Sequence, residues 1–249
     1  MIGAIPVWLA LAFLAAALLY ASVGFGGGST YAALLALAGL DYRLLPMVAL
    51  ACNIIVVTGG TVRFARAGLI PWRSALAMTA LAAPAAFFGG LTPIGQVAFM
   101  ILLGASLVLT SASMLLPVAK QDEEPAAAAR FAPVAAAPIG YLAGLVGIGG
   151  GIFLAPVLHL MRWKNARAIA ATASLFILVN SLFGLAGQLL KQGPALFGGA
   201  LTYSLPLLIA VIIGGQVGSL MAVKILPKRW IRWLTAILVA AVGLRLLFA

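Results

Sequence analysis

Residues 24–37 read GFGGGSTYAALLAL, and a later stretch at 147–160 reads GIGGGIFLAPVLHL. All of the glycines of the first run recur at the same places in the second. The apolar segment 5–40 that holds the first run would measure about 54 Å as one helix, which is too long for a single membrane span. The glycines are where such a helix would break. The sequence therefore predicts two broken helices, one in each half of the chain.

The composition around these runs is that of a protein in lipid. Hydrophobic residues make up 65% of the chain and charged residues only 8%, and the mean hydropathy is +1.20. In a bilayer only helices and closed barrels satisfy their own backbone groups. We predict an all-α polytopic membrane protein with no separate soluble domain. The remaining apolar stretches approach or exceed the length of a span, and they lie at 44–62, 74–88, 97–116, 168–190, 201–223 and 231–248.

The basic residues indicate which loops face the cytoplasm. The formal net charge is +11, and most lysines and arginines fall in four loops, as the positive-inside rule describes. This pattern explains the charge without nucleic acid and predicts a multi-pass membrane protein. The loops predicted to be cytoplasmic are 63–73, 117–130, 161–168 and 224–232. Outside them, Arg43, Lys191 and Arg245 would either steer anions or extend to lipid headgroups.

The repeat and the loop charges together predict two halves of opposite orientation. Asn53 and Asn180 each interrupt a long apolar helix, and glycine pairs recur at 89–90 and 214–215. With the basic loops inside, the Asn53 and Asn180 helices run antiparallel, which is the arrangement of inverted-topology repeats with broken helices at Gly-rich turns. We divide the chain into a first transmembrane repeat at 1–117, a cytoplasmic linker at 118–130 and a second transmembrane repeat at 131–249.

The glycine turns are candidates for an anion site. A helix that restarts inside the membrane offers unpaired N–H groups and the positive end of its dipole. Thr30 would add a hydroxyl, whereas Ile152 and Phe153 supply none in the second turn. The alternative is that the glycines only allow close helix packing and that the asparagines only bond between helices. The predicted substrate-binding residues are Gly24, Gly26, Gly27, Gly28, Ser29, Asn53, Gly147, Gly149, Gly150, Gly151 and Asn180.

The paired glycine turns, each followed by an apolar helix with an asparagine, and the later glycine pairs resemble the sulfite exporter TauE/SafE family. The resemblance covers nearly the whole chain. It implies passage of sulfite, sulfonates such as sulfoacetate, or other sulfur-containing anions across the bacterial cytoplasmic membrane. It also implies family roles for the glycines named above and for Asn53 and Asn180.

These observations lead us to expect a secondary transporter that exports a small sulfur-containing anion by alternating access. An anion channel on the same scaffold and a non-transport membrane subunit are the alternatives. An enzyme is not expected, because one histidine, one cysteine and four acids offer no metal cluster or activated nucleophile at the midplane. The expected partners are the anion and membrane lipid, with no cofactor and no nucleic acid. The oligomeric state is left open.

Overall fold

The computed structural model describes residues 5–115, 127–221, 237 and 240–248. These residues form helices and turns without a strand, so the predicted all-α class is confirmed for the described part of the chain. The helices of the first half are α1 (Val7–Val23), α2 (Gly28–Leu37), α3 (Leu44–Arg66), α4 (Trp72–Leu91) and α5 (Gln96–Leu115). A 3-10 helix at Ala127–Phe131 precedes α6 (Ala132–Val146), α7 (Gly151–Leu160), α8 (Ala166–Gln192) and α9 (Pro194–Met221). Residues 240–248 form a further helical segment.

Several helices are suited to a bilayer. Among the described residues, four helices are long and apolar enough to cross a membrane, at Leu44–Arg66, Trp72–Leu91, Ala129–Val146 and Ala166–Gln192. Large apolar side chains such as Val97, Leu109 and Phe88 are exposed on the outside of the bundle. Lipid tails, unlike water, solvate such a surface at no cost. The prediction of a polytopic membrane protein is confirmed.

Both predicted helix breaks are present, and both have the same backbone construction. Gly24 ends α1 with φ of 85°, and Gly147 ends α6 with φ of 83°. Gly27 then precedes α2 with φ of 85°, and Gly150 precedes α7 with φ of 80°. Only glycine adopts this left-handed region without a Cβ penalty. The glycines therefore end one helix and start the next within a few residues.

The two halves interlock through crossed helix pairs. α1 packs along α9 and α6 packs along α4, while α3 and α8 pack against each other at the centre. Gly218 lies against the carbonyl of Leu18, and Gly144 lies against the carbonyl of Ala86. A side chain at either glycine would separate the helices, which is the usual reason for small residues between membrane helices. Gly90, from the first predicted glycine pair, packs in the same way against α8.

The contacts between α3 and α8 show that these helices run antiparallel. Thr61 Oγ1 and Ser174 Oγ share a hydrogen bond of 2.9 Å, whereas Asn53 and Ser181 both flank Gly149. Residue numbers thus rise along α3 as they fall along α8, in agreement with the predicted orientation. Full inverted symmetry and the domain limits stay predictions. Most of the predicted linker and the whole loop 224–232 lie outside the described residues.

Candidate functional site

The two glycine turns meet at Asn53, on the central helix α3. Cβ atoms added to Gly26 or Gly28 of the first turn would overlap the Asn53 amide, and one added to Gly149 of the second turn would lie 2.7 Å from Asn53 Nδ2. Asn53 Nδ2 also donates a hydrogen bond of 3.1 Å to the carbonyl of Ile148. Asn53 lies about 14 Å along α3 from its first residue. One buried amide therefore joins both turns, near the middle of the helix.

The turns approach Asn53 from opposite ends of α3. Gly24, where the first turn begins, lies against the Phe64 ring, close to the Arg66 end of the helix. Gly147, where the second turn begins, lies against Pro46, close to the other end. Irregular backbone at this depth is tolerated only where protein or a watery cavity covers it. The turns therefore face each other inside the bundle, in the arrangement that the sequence predicts.

The start of α2 presents backbone N–H donors near Asn53. Tyr31 N–H makes the first bond into the helix, to the carbonyl of Gly27 at 3.0 Å. The N–H groups of Gly28, Ser29 and Thr30 come earlier, where an α-helix has no acceptor of its own. No side chain caps this end, and all three residues are buried. A buried helix end without a cap needs another partner.

The start of α7 repeats the arrangement with fewer donors. Phe153 N–H and Leu154 N–H both bond to the carbonyl of Gly150, at 3.1 and 3.0 Å. Gly151 and Ile152 precede them and have no acceptor within the helix. This end also has no side-chain cap. Together the two helix ends direct positive dipole charge into the same interior region.

Buried polar side chains without partners lie at the turns and on α8. Ser29 Oγ, Ser181 Oγ and Asn53 Oδ1 are buried and make no hydrogen bond within the described structure, and the same is true of both polar atoms of Asn180. Thr30, by contrast, is engaged, because its hydroxyl and the Tyr20 hydroxyl lie 2.9 Å apart. An unsatisfied buried group costs about 1 to 3 kcal/mol. Several such groups near two uncapped helix ends make this region a candidate ligand site.

Ser181 is the residue that sequence reasoning missed. A Cβ atom added to Gly149 would lie 3.0 Å from Ser181 Oγ, so the hydroxyl is directed at the second turn. Its sequence signal is weak, because a serine one position after Asn180 is ordinary in a membrane helix. The predicted donors of the first half, Ser29 and Asn53, both lie at the turns.

Asn180 does not occupy the place that the repeat assigns to it. Ile177, rather than Asn180, lies against Gly149 and Gly151, as Asn53 lies against Gly26 and Gly28. The structural equivalent of Asn53 in the second half is therefore an apolar side chain. Asn180 lies one turn further along α8 and is fully buried.

Close packing also accounts for several of the glycines. A Cβ atom on Gly28 would meet Asn53 and the carbonyl of Ile148, and one on Gly151 would meet Ile177. Gly149 has a φ of 81°, which a side chain rarely allows. The packing alternative and the site are thus compatible, because only bare backbone lets two helix ends come this close.

A cavity of about 200 Å³ opens at the end of α3 where Leu44 lies. Pro46 and Leu145 form part of its wall, and Pro46 also contacts Gly147. Pro46 therefore lies between this cavity and the second turn, whose residues are all buried. At the Arg66 end, Phe64 covers Gly24 of the first turn, and Thr61 and Ser174 share their hydrogen bond between α3 and α8.

These features define a class. A helical membrane protein whose broken helices present uncapped ends to each other across two halves has the construction of many secondary transporters. The sequence profile of the family described as Sulfite exporter TauE/SafE matches residues 9–246. The chain belongs to this family, as its glycine turns suggest, and it is a membrane transporter of the TauE/SafE type.

A relative in Sinorhizobium fredii (strain NBRC 101917 / NGR234), described as "Probable membrane transporter protein y4hK", is 34% identical over 246 residues. The match covers 96% of this chain and 97% of the relative. No solved structure matches the chain.

Proposed function

We propose that this transporter exports a small sulfur-containing anion, sulfite or an organosulfonate such as sulfoacetate, across the bacterial cytoplasmic membrane. The observation that carries the proposal is the meeting of two uncapped helix ends at Asn53, with unpartnered hydroxyls beside them. The family description supports sulfite, and sulfonates share its negatively charged S–O oxygens.

The donors at the turns suit an oxyanion. Backbone N–H groups at the start of α2 and α7, together with the Ser29 and Ser181 hydroxyls, point to the same region. Asn53 uses one amide N–H on Ile148 and keeps the second for a ligand. Each helix end contributes on the order of 0.3 to 2 kcal/mol. Neutral donors bind an anion modestly, which allows release on the other side.

Transport would proceed by alternating access between the halves. At the Arg66 end, α3 and α8 are held together by the hydrogen bond between Thr61 and Ser174. The opposite end holds the open cavity. By the charge of the loops this cavity faces outward, so we assign the structure to an outward-facing conformation. Rocking of one half against the other would close the cavity and separate Thr61 from Ser174.

Membrane potential is the simplest driving force. Among the described residues the sole acid is Asp41, which lies in the loop before α3 and away from the turns. A carboxylate proton relay through the site is therefore not part of the proposal. Moving one anionic charge outward across the membrane gains about 2.3 kcal/mol per 100 mV when the inside is negative. Flux that does not change with voltage would contradict this part of the proposal.

Ligand-induced stabilisation of the purified protein tests the site. Sulfite, sulfoacetate, thiosulfate, sulfate and chloride are added separately, and the midpoint of thermal unfolding is measured for each. A ligand at 100 times its Kd adds about 2.7 kcal/mol to the free energy of unfolding. Asn53→Ala and Ser181→Ala should lose most of the response, because both side chains lie at the turns. Thr79→Ala is the control, because the buried Thr79 hydroxyl bonds only within its own helix, to Ala75.

If no sulfur anion raises the midpoint, or if the three variants respond alike, the proposed site is wrong. Counterflow in proteoliposomes then separates a carrier from a channel. A carrier accelerates uptake of labelled anion when unlabelled anion is present on the far side, whereas a channel does not.

A further inference from the structure

The cavity at the Leu44 end of α3 has a polar side of its own. Arg43, Gln188 and Lys191 line it together with the apolar Pro46 and Leu145. Its volume of about 200 Å³ is enough for several water molecules or for one small oxyanion with water. Neither Asn53 nor any residue of the turns lines it, so it is distinct from the site at the turns.

Lys191 is the central feature of this cavity. The side chain is half-buried, and its ammonium donates a hydrogen bond of 3.2 Å to the carbonyl of Thr92. An ammonium has three N–H groups, so two remain for another acceptor. In the described structure the salt bridge is between Arg43 and Asp41, and Lys191 has no carboxylate against it. A half-buried cation without a counterion attracts an anion more strongly than an exposed one.

Gln188 provides a second, independent indication of a ligand. The residue is fully buried, and its Nε2 group donates to the carbonyls of Gly144 and Leu145 at 3.1 and 3.4 Å. Its Oε1 atom has no partner in the described structure. This acceptor requires an O–H or N–H group from the cavity. A hydrated oxyanion satisfies both residues, because its oxygens accept from Lys191 and its water donates to Gln188.

We infer that this cavity is a second anion-binding site, at which Lys191 holds a free oxyanion before or after it occupies the turns. The inference rests on the proposed function, because the substrate of the turns is the anion expected here. The cavity shares Pro46 with the surroundings of Gly147, so the two sites are neighbours along one path.

The phosphate of a membrane lipid has the same chemistry as a free oxyanion, and the experiment must separate the two. The full-length protein in nanodiscs of phosphatidylcholine is treated with an amine-reactive ester, and mass spectrometry measures the rate at which each lysine is acetylated. The probe is sulfoacetate, at constant ionic strength. We expect it to slow the acetylation of Lys191 about fivefold and to leave Lys164 unchanged. Lys164 lies beside Trp163, outside the cavity, and serves as the internal control.

Equal rates at Lys191 with and without sulfoacetate would overturn the inference. A second set of nanodiscs contains phosphatidylglycerol. If Lys191 is protected there before any sulfoacetate is added, and not protected by sulfoacetate in phosphatidylcholine, the ligand is a lipid phosphate and the free-anion site is wrong.

Transport kinetics give a readout that does not depend on labelling. In counterflow, Lys191→Gln should raise the KM for labelled anion added on the outer side, which the cavity faces, about fivefold, and Lys191→Arg should restore it. Arg245→Gln removes an exposed cation from the last described helical segment and should leave KM unchanged. If wild-type protein moves no anion, the proposed function fails. If wild type transports and Lys191→Gln has the same KM, only the second site fails.

Discussion

The first and second glycine turns have nearly the same backbone and different side chains. Each has a left-handed glycine before the break and another before the new helix, at Gly24 and Gly27 in one and at Gly147 and Gly150 in the other. The Asn53 amide contacts both turns, whereas Ile177, at the matching place on α8, is apolar and lies against the second turn. The backbone therefore repeats and the chemistry does not. Most of the ligand contacts of the site are expected from the first turn and from Ser181.

The turns also differ in what covers them. Phe64 covers the first turn, whereas the second is covered by Pro46, which also lines the open cavity. In a two-fold arrangement that alternates, each turn is covered in one conformation and accessible in the other. The difference between the turns is then a property of the conformation, and it is open to experiment.

The largest expected effect comes from fixing the closed end. Thr61→Cys and Ser174→Cys, in a Cys52→Ala background, place two thiols where hydroxyls now lie 2.9 Å apart. Oxidation should abolish transport, because α3 and α8 would no longer separate, and reductant should restore it. Flux is measured before and after oxidation. Each single cysteine variant is the control, and full transport by the oxidised double variant would contradict alternating access at this end.

The next largest effect is expected at Gly28 and Gly151, the glycines at which α2 and α7 begin. In Gly28→Ala the new methyl meets the Asn53 amide and a backbone carbonyl, whereas in Gly151→Ala it meets mainly the flexible end of Ile177. We expect Gly28→Ala to lose transport and about 1 to 3 kcal/mol of stability. Gly151→Ala should lose less, and Ile177→Ala should restore it. Thermal unfolding and flux are measured for all variants.

Gly198→Ala is the matched control, since a Cβ atom there meets nothing within 4 Å. It should be neutral or slightly stabilising. If Gly28→Ala behaves like Gly198→Ala, the close approach of the turns has no role in the fold.

A smaller effect is expected when the hydroxyl of Ser29 in the first turn is compared with the apolar side chain of Ile152, its counterpart in the second. Ser29 and Ile152 follow the last glycine of each turn, and only Ser29 has a hydroxyl. Ser29→Ala should weaken the binding of the transported anion about fivefold, because it removes a hydrogen bond to a charged group. Ile152→Ala should change stability and leave affinity nearly unaltered. Anion affinity is measured by titration for both, and equal losses would mean that neither turn selects the ligand by its side chain.

Much of this fold was predictable from the sequence because its signals are local. The glycine runs fixed where α1 and α6 end, and the basic loops fixed the relative direction of α3 and α8. The site was predictable in the first half, where Ser29 and Asn53 follow an unusual run of glycines. The contacts of the second half depend on how the helices pack. Whether Ile177 or Asn180 faces the second turn depends on the rotation of α8, and a continuous apolar helix gives no sign of that rotation.

The cavity lies beyond sequence reasoning for a similar reason. Arg43 and Lys191 are separated by most of the chain and meet only because α8 ends beside the start of α3. From the sequence alone, each is as consistent with lipid headgroups as with an anion.

The smallest expected effect lies at the rim of this cavity, on the side of the second turn. Asp41 pairs with Arg43, and the hydrogen bonds from Arg43 hold the pKa of the Asp41 carboxyl below its usual value. Asp41 therefore stays ionised and offsets the charge of Arg43 near the cavity. Asp41→Asn should release Arg43 and lower the KM for the anion about twofold, a modest change because exposed pairs are screened by water.

The pH dependence follows from the sign of that shift. A carboxyl whose pKa is lowered in the folded state keeps its charge, and with it the ion pair, until the pH falls below about 4, which is its pKa in the unfolded chain. The charge of Asp41 should therefore cause no change in the KM of wild type between pH 5 and 8. The KM of Asp41→Asn should be about twofold lower than that of wild type at every pH in this range. The measurement is the KM at each pH. A difference between wild type and Asp41→Asn that disappears near pH 6 would mean that another group controls Arg43. If Asp41→Asn has the same KM as wild type at every pH, Lys191 alone attracts the anion to the cavity.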